Sequence, residues 1–261
     1  KENLPKAIVL VHFAGYTEDL EKIKKLSIKY RFKIIEDASH ALGAKYKGGY
    51  IGNCKFSDVC VFSFHPVKSI TTGEGGSALT NNKKLYENMS MLRTHGITKD
   101  KKKFKNKKNS DPWYFEQQLL GFNYRMNEIE AALGISQLKS LNSFIKKRNK
   151  IAKIYDKHLS DLPIIIPRKD PDTISSYHLY TIRIKKGDRK KIFNSLRKKN
   201  IGVNVHYIPV VLHPFYKKLG FKLKKFPNSL SFYKDSISIP IYPNLKKEHQ
   251  FKIIKCIKNQ F

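Results

Sequence analysis

The side chains best suited to chemistry gather in residues 56–76, FSDVCVFSFHPVKSITTGEGG. An apolar run from Val59 to Phe64 ends in Ser63 and His65, with Lys68 just beyond a proline. A lysine at the end of a buried strand is partly desolvated, which lowers its pKa and frees its amine to attack a carbonyl. Asp37 ends FKIIED, a second short apolar stretch that predicts a strand. If both strands belong to one parallel sheet, Asp37 and Lys68 open onto one crevice at its carboxyl edge. An amine and a carboxylate in that relation are the types pyridoxal phosphate (PLP) chemistry requires. The amine bonds the aldehyde, and the carboxylate keeps the ring nitrogen protonated. From spacing alone, a salt-bridged aspartate and an ordinary surface lysine are the favoured reading.

The neighbouring polar residues carry the same two readings. Ser63 is placed to donate to a phosphate oxygen or to satisfy a backbone carbonyl, and His65 to line a pocket or to pack as a neutral ring. His40 follows Asp37 closely, as a ring contact or as the first residue of a helix. Thr72 to Gly76 lack the GxxxxGK[ST] pattern, so they read as a tight backbone path under a bulky ligand or as ordinary turn glycines. Asn123, Arg125 and Asn127 precede a long helical pattern, and Asn127 suits its N-cap. His206 and Tyr207 stand in a loop of the C-terminal half, able to close over a substrate or simply solvated.

These groups need a scaffold, and the chain supplies alternating patterns. KAIVLVHF (residues 6–13) predicts a buried strand, residues 17–30 an amphipathic helix opened by Thr17, Glu18 and Asp19, and residues 32–35 a second strand. Strand, helix, strand at this spacing is the βαβ unit of a parallel sheet. Residues 77–80 predict a returning strand and 82–93 a helix. Residues 98–111, TKDKKKFKNKKNSD, predict an exposed or disordered excursion, with Trp113, Tyr114 and Phe115 anchoring its return. Apolar residues at helical spacing run for about thirty residues from Asn127, with Gly134 or Ser140 as a possible bend. A smaller α+β unit follows: a strand near 178–184, helices at 188–199 and 246–258, and short aromatic-rich helices at 214–233. The expected division is 1–135 and 136–261.

The 261 residues carry 52 Lys+Arg against 21 Asp+Glu, a formal charge of +31. Such a field attracts polyanions without specificity. The excess is spread along nearly every predicted helix, and no zinc-finger, RNP or recognition-helix pattern accompanies it, so specific nucleic-acid binding is not expected. No apolar run reaches the roughly 20 residues that cross a bilayer, and no membrane association is expected. Cys54, Cys60 and Cys256 are odd in number and lack metal-ligand spacing, which points to a reduced cytoplasmic compartment and no metal.

Taken together, EDASHALGAKYKGG, FSFHPVKSITTGEGGSALTN, LRTHGI, LGFNYRMNEIEAALGISQL and VNVHYIP resemble the DegT/DnrJ/EryC1/StrS sugar aminotransferases over essentially the whole chain. The resemblance implies the PLP-dependent transferase fold type I, an α/β fold like that of aspartate aminotransferase, with a large domain and a small α+β C-terminal domain. It implies Lys68 as the lysine that bonds PLP and shuttles protons, and Asp37 as the partner of the ring nitrogen. Ser63 would bind the cofactor phosphate, His40 would lie at the ring, and Asn123 would reach the phosphate of a neighbouring subunit's cofactor, in a homodimer. His65, His206 and Tyr207 fall to the substrate. RTHGITKD and PWYFEQQLLGFNYRMNEIEAALG are most similar to the transaminases of pseudaminic acid biosynthesis. That subgroup moves an amino group from L-glutamate to C4 of a UDP-linked 4-keto-6-deoxy-N-acetyl hexose. Against the family pattern the large domain is expected to be incomplete at its N-terminal side, with an exposed sheet edge; the alternative reading is a partner-dependent or inactive remnant of such an enzyme. Val210-Val211 also stand where the family often has a histidine.

Overall fold

The computed structural model describes residues 4–108 and 111–261 and divides the chain into two compact units. The first comprises residues up to His12, Glu18–Leu42 and Gly49–Lys139; the second comprises Phe13–Thr17, Gly43–Gly48 and Ser140–Phe261.

The first unit is built on β1 (Ala7–Val11), α1 (Leu20–Tyr30), β2 (Lys33–Asp37), β3 (Val59–Ser63), β4 (Gly76–Leu79) and α2 (Lys83–Arg93). The strands form a sheet in the order β1-β2-β3-β4. The first three run parallel, with Val11 beside Asp37 and Asp37 beside Val61. β4 returns antiparallel, pairing Ser63 with Gly76. The carboxyl ends of three strands therefore share one edge, where open parallel sheets gather their ligands. α1 begins later than residue 17 because Asp19 is its cap, accepting from the Lys22 N–H at 3.0 Å. Asn82 caps α2 in the same way, through the Leu85 N–H.

β1 departs from the expected buried strand. Val9 is 62% and Val11 51% exposed, whereas in β3 only Cys60 and Phe62 are buried and Val61 is open. β1 is the edge strand of this sheet, and one of its faces is uncovered. The lysine-rich stretch also departs from the expected structureless loop, although residues 109–110 lie outside the described set. Ile97–Thr98 pairs with Glu116–Gln117 as a short ladder. Phe104 is buried edge-on against Tyr114, 5.1 Å between ring centres. Glu116 accepts from the Lys105 and Asn106 N–H groups. The anchors are thus Phe104, Tyr114 and Glu116, while Trp113 is 77% exposed.

Helix α3 (Glu128–Leu159) is shared between the units. It opens with a capping box: Asn127 Oδ1 accepts from the Glu130 N–H and Glu130 Oε2 from the Asn127 N–H.

In the second unit, β5 (Ile164–Ile165), β6 (Tyr180–Ile184) and β7 (Ser236–Ile239) form an antiparallel sheet in the order β7-β6-β5. The later part of α3, α4 (Arg189–Lys198) and α5 (Lys247–Lys258) cover it. One apolar core joins Ala152, Tyr155, Leu159, Ile182, Leu196, Ile237 and Ile257. Each large aliphatic or aromatic side chain buried there contributes roughly 1.5–3 kcal/mol. The polar tips inside it are paired: the Tyr155 hydroxyl donates to Pro240 O and that of Tyr180 to Asp156 Oδ1. Arg148, also buried, donates through Nη1 to the carbonyls of Tyr177, His178 and Ile241. Segments 13–17 and 43–48 join this unit through the backbone, since Gly15 O accepts from the Ser176 N–H and Asp172 O from the Lys47 N–H.

All three cysteines are buried and free. Burial first, then the nearby Glu36, pushes the Cys60 thiol pKa far up. No helix among the described residues is long and apolar enough to cross a membrane.

Candidate active site

Asp37 is the last residue of β2 and Ser63 the last of β3. Asp37 Oδ1 accepts from both the backbone N–H and the hydroxyl of Ser39, at 3.1 and 2.6 Å. This Asx turn aims the carboxylate and leaves Oδ2 without a hydrogen bond to the described residues. On the other face of β2, Glu36 Oε2 lies 2.6 Å from His12 Nε2, with both side chains almost wholly buried.

After Ser63 the chain makes a stitched loop. Phe64 N–H donates to Gly75 O, Thr72 N–H and Thr71 Oγ1 donate to Phe64 O, and Lys68 N–H donates to His65 O. Ile70 and Thr72 point inward and are buried, which holds the loop against the sheet. Lys68 is left half-buried at its shoulder. Its pKa is lowered: desolvation depresses it, opposed by the attraction of the Asp37 carboxylate.

The glycines here answer to space more than to ligand. A Cβ on Gly76 would lie 2.6 Å from Phe62 O, and one on Gly75 2.8 Å from Met126 Cε. Gly134 does not bend α3; a Cβ there would meet Thr72 Cγ2 at 2.8 Å, so its role is to let the loop approach the helix. Gly73, with φ +85°, has nothing within 4 Å of its Cβ position.

The other predicted residues are less closely joined. His40 is buried in a turn, and no helix begins at it. His65 is exposed, its Nε2 3.8 Å from Glu74 Oε1. Asn123 is exposed, its backbone bridging Thr94. His206 and Tyr207 belong to the second unit. There His206 Nδ1 lies 2.8 Å from Ser238 Oγ, and Tyr207 meets Phe13 edge-on at 6.4 Å. Sequence reasoning passed over Ser39, which the D-x-S spacing could have flagged; it read Thr72 only as part of a turn, and its contact with Gly134 needs the packing of α3.

A carboxylate with one open oxygen, a desolvated amine within its field, a strand-end serine and a loop with open space at Gly73 form a donor set that suits PLP. The match with known proteins points the same way. Residues 2–258 match the DegT/DnrJ/EryC1/StrS aminotransferase family model. The UDP-4-amino-4,6-dideoxy-N-acetyl-beta-L-altrosamine transaminase of Campylobacter jejuni is 40% identical over 98% of this chain and 67% of its own length. The uncharacterized protein MJ1066 of Methanocaldococcus jannaschii is 40% identical over 97% of this chain and 66% of its own. Among solved structures, Helicobacter pylori PseC, an aminotransferase involved in the biosynthesis of pseudoaminic acid, superposes with a TM-score of 0.88 at 34% identity. That match covers 98% of this chain and 67% of PseC. The putative sugar aminotransferase Spr1654 of Streptococcus pneumoniae, solved in PLP and PMP forms, gives 0.84 and 0.88 at 30% identity. The PLP form is matched over 97% of this chain and 68% of its own, the PMP form over 97% and 69%. The chain thus spans about two thirds of the length of these relatives. It belongs to the DegT/DnrJ/EryC1/StrS aminotransferase family and has the fold of its PLP-dependent sugar aminotransferases.

Proposed function

We propose that this chain carries the amine and carboxylate of a PLP-dependent nucleotide-sugar aminotransferase. The observation that carries the reading is Lys68, half-buried past the end of β3, its basicity reduced by desolvation and its charge felt by Asp37 at the end of β2. Bound there, PLP would supply an electron sink for the carbon whose proton moves. Asp37 Oδ2 would hold the ring nitrogen protonated, with Ser39 fixing the carboxylate's angle. Ser63 would donate to the phosphate, and His40 would border the ring.

Lys68 Nζ would take the proton from Cα of the amino donor and later return one to the sugar carbon. A lowered pKa suits this work, because only the neutral amine accepts a proton. The donor we assign is L-glutamate, released as 2-oxoglutarate. The acceptor is C4 of a UDP-linked 4-keto-6-deoxy-N-acetyl hexose in pseudaminic acid biosynthesis. The Campylobacter and Helicobacter relatives support that choice. His65, His206 and Tyr207 are assigned to the sugar nucleotide.

The working form we infer is a cytoplasmic homodimer in which Asn123 serves the partner's cofactor. The exposure of Asn123, together with open apolar residues such as Leu120, Ile129 and Ile135, supports a second copy there. The test is to incubate the full polypeptide with PLP, reduce with borohydride and map the adduct by mass spectrometry. A pyridoxyl group on Lys68, lost in Lys68→Ala, is expected. A folded protein that takes up no PLP, or carries it on scattered surface lysines, defeats the assignment.

A further inference from the structure

The second unit contains a cavity of about 540 Å³ between the end of β7, the 200–206 loop and α5. That volume lies in the range of roughly 300–1,000 Å³ typical of small-molecule sites. Its walls are mostly aliphatic, with Tyr242 the one phenol among the described lining residues. The titratable groups that face it besides this phenol are His178, His206, His249 and Lys252, and no carboxylate is among its lining residues.

Two further observations set its charge preference. Arg148 lies behind the wall, giving Nη1 to the carbonyls of His178 and Ile241, which both line the cavity. Its guanidinium is buried and bonded to carbonyls rather than to a carboxylate, and burial alone lowers its pKa to about 10. It is therefore a cation at neutral pH in a medium that screens it poorly. The His206 ring is held by Ser238 Oγ, itself 2.9 Å from Thr181 Oγ1. At the rim, Glu248 Oε1 lies 3.5 Å from His249 Nε2, and its side chain is largely exposed.

We propose that this cavity binds a small organic anion: a flat apolar body seated along the aliphatic wall and Tyr242, with a phosphate or carboxylate head at Lys252 and His249. The inference shares His206 with the sugar-nucleotide assignment above but does not rest on Lys68 or Asp37, since every lining residue lies in the second unit.

The experiment titrates the full chain at low salt and pH 7 with phenyl phosphate, benzoate and phenol, following binding by NMR and calorimetry. At least one anion is expected to bind tenfold or more tighter than phenol, and the better of the two identifies the head group. The double variant Lys252→Gln/His249→Gln, both exposed positions, is expected to weaken that anion tenfold, while Lys68→Ala leaves it unchanged. Equal binding of phenol, an unaffected double variant, or loss of binding in Lys68→Ala each overturns the proposal. Because the last variant abolishes borohydride trapping by design, failure here is distinguishable from failure of the aminotransferase reading.

Discussion

Gly76→Ala tests a steric demand set by backbone at the end of β3. Gly76 pairs with Ser63 across the β3–β4 ladder, and its added Cβ would lie 2.6 Å from the carbonyl oxygen of Phe62. Ordinary contact begins near 3.4 Å, so the strands must part by several tenths of an ångström. The obstructing atom is backbone, in a strand fixed on both sides by hydrogen bonds, and it cannot swing away as a side chain would. Overpacking of this kind costs about 1–3 kcal/mol. With roughly 2 kcal/mol lost, a protein of this size should melt about 4–8 °C lower. Urea and thermal unfolding should be run beside Gly202→Ala, where nothing lies within 4 Å of the Cβ position and the change should stay within about 0.5 kcal/mol. Ser63 sits opposite the strained residue, so PLP uptake should weaken as well. A Gly76→Ala protein as stable as Gly202→Ala would refute the steric argument and the register on which it stands.

Asn127→Ala removes one half of the reciprocal cap on α3 and should cost about 1 kcal/mol in urea unfolding. Arg148→Met leaves two buried carbonyls and one partly buried one without this donor and should destabilise the second unit by about 3–5 kcal/mol, as read from the same curves. Burial would raise the Glu116 pKa, but four hydrogen bonds outweigh it and hold the carboxyl at about 2. A depressed folded pKa contributes stability above the unfolded value of 4.5 and loses it as pH falls toward 2. The 97–117 excursion should therefore loosen in that acid window. Emission from Trp113, the sole tryptophan, should report it, and Glu116→Gln should remove the pH dependence.

Elements whose period is set locally were legible in the sequence. The 3.6-residue pattern after Asn127 gives α3, and apolar stretches ending in polar groups give β2 and β3, with Asp37 and Ser63 at their ends. Composition could not tell that one face of β1 lies open, because a strand rich in valine and isoleucine reads the same at an edge as in the middle. Nor could it show that Phe104 turns a lysine run into an ordered excursion; one aromatic among charges has no period. Gly134 looked like a hinge because helix propensity is local, whereas its demand comes from Thr72, far off in sequence. Strand order alone placed Asp37 and Lys68 at one sheet edge, but only the family resemblance singled them out from a salt-bridged aspartate and a surface lysine. Desolvation of the lysine was expected from its place after a buried strand, whereas the Ser39 bonds that aim Asp37 required the folded backbone.

The three sheltered thiols give each half of the molecule its own clock. Cys54 and Cys60 report on the first unit and Cys256 on the second. A thiol hidden from solvent reacts with an alkylating reagent only when its surroundings open. Pulsed labelling of the native protein followed by peptide mapping would thus time the breathing of each half separately, with no engineered probe, and cysteines introduced on the surface could be tagged against a nearly silent background.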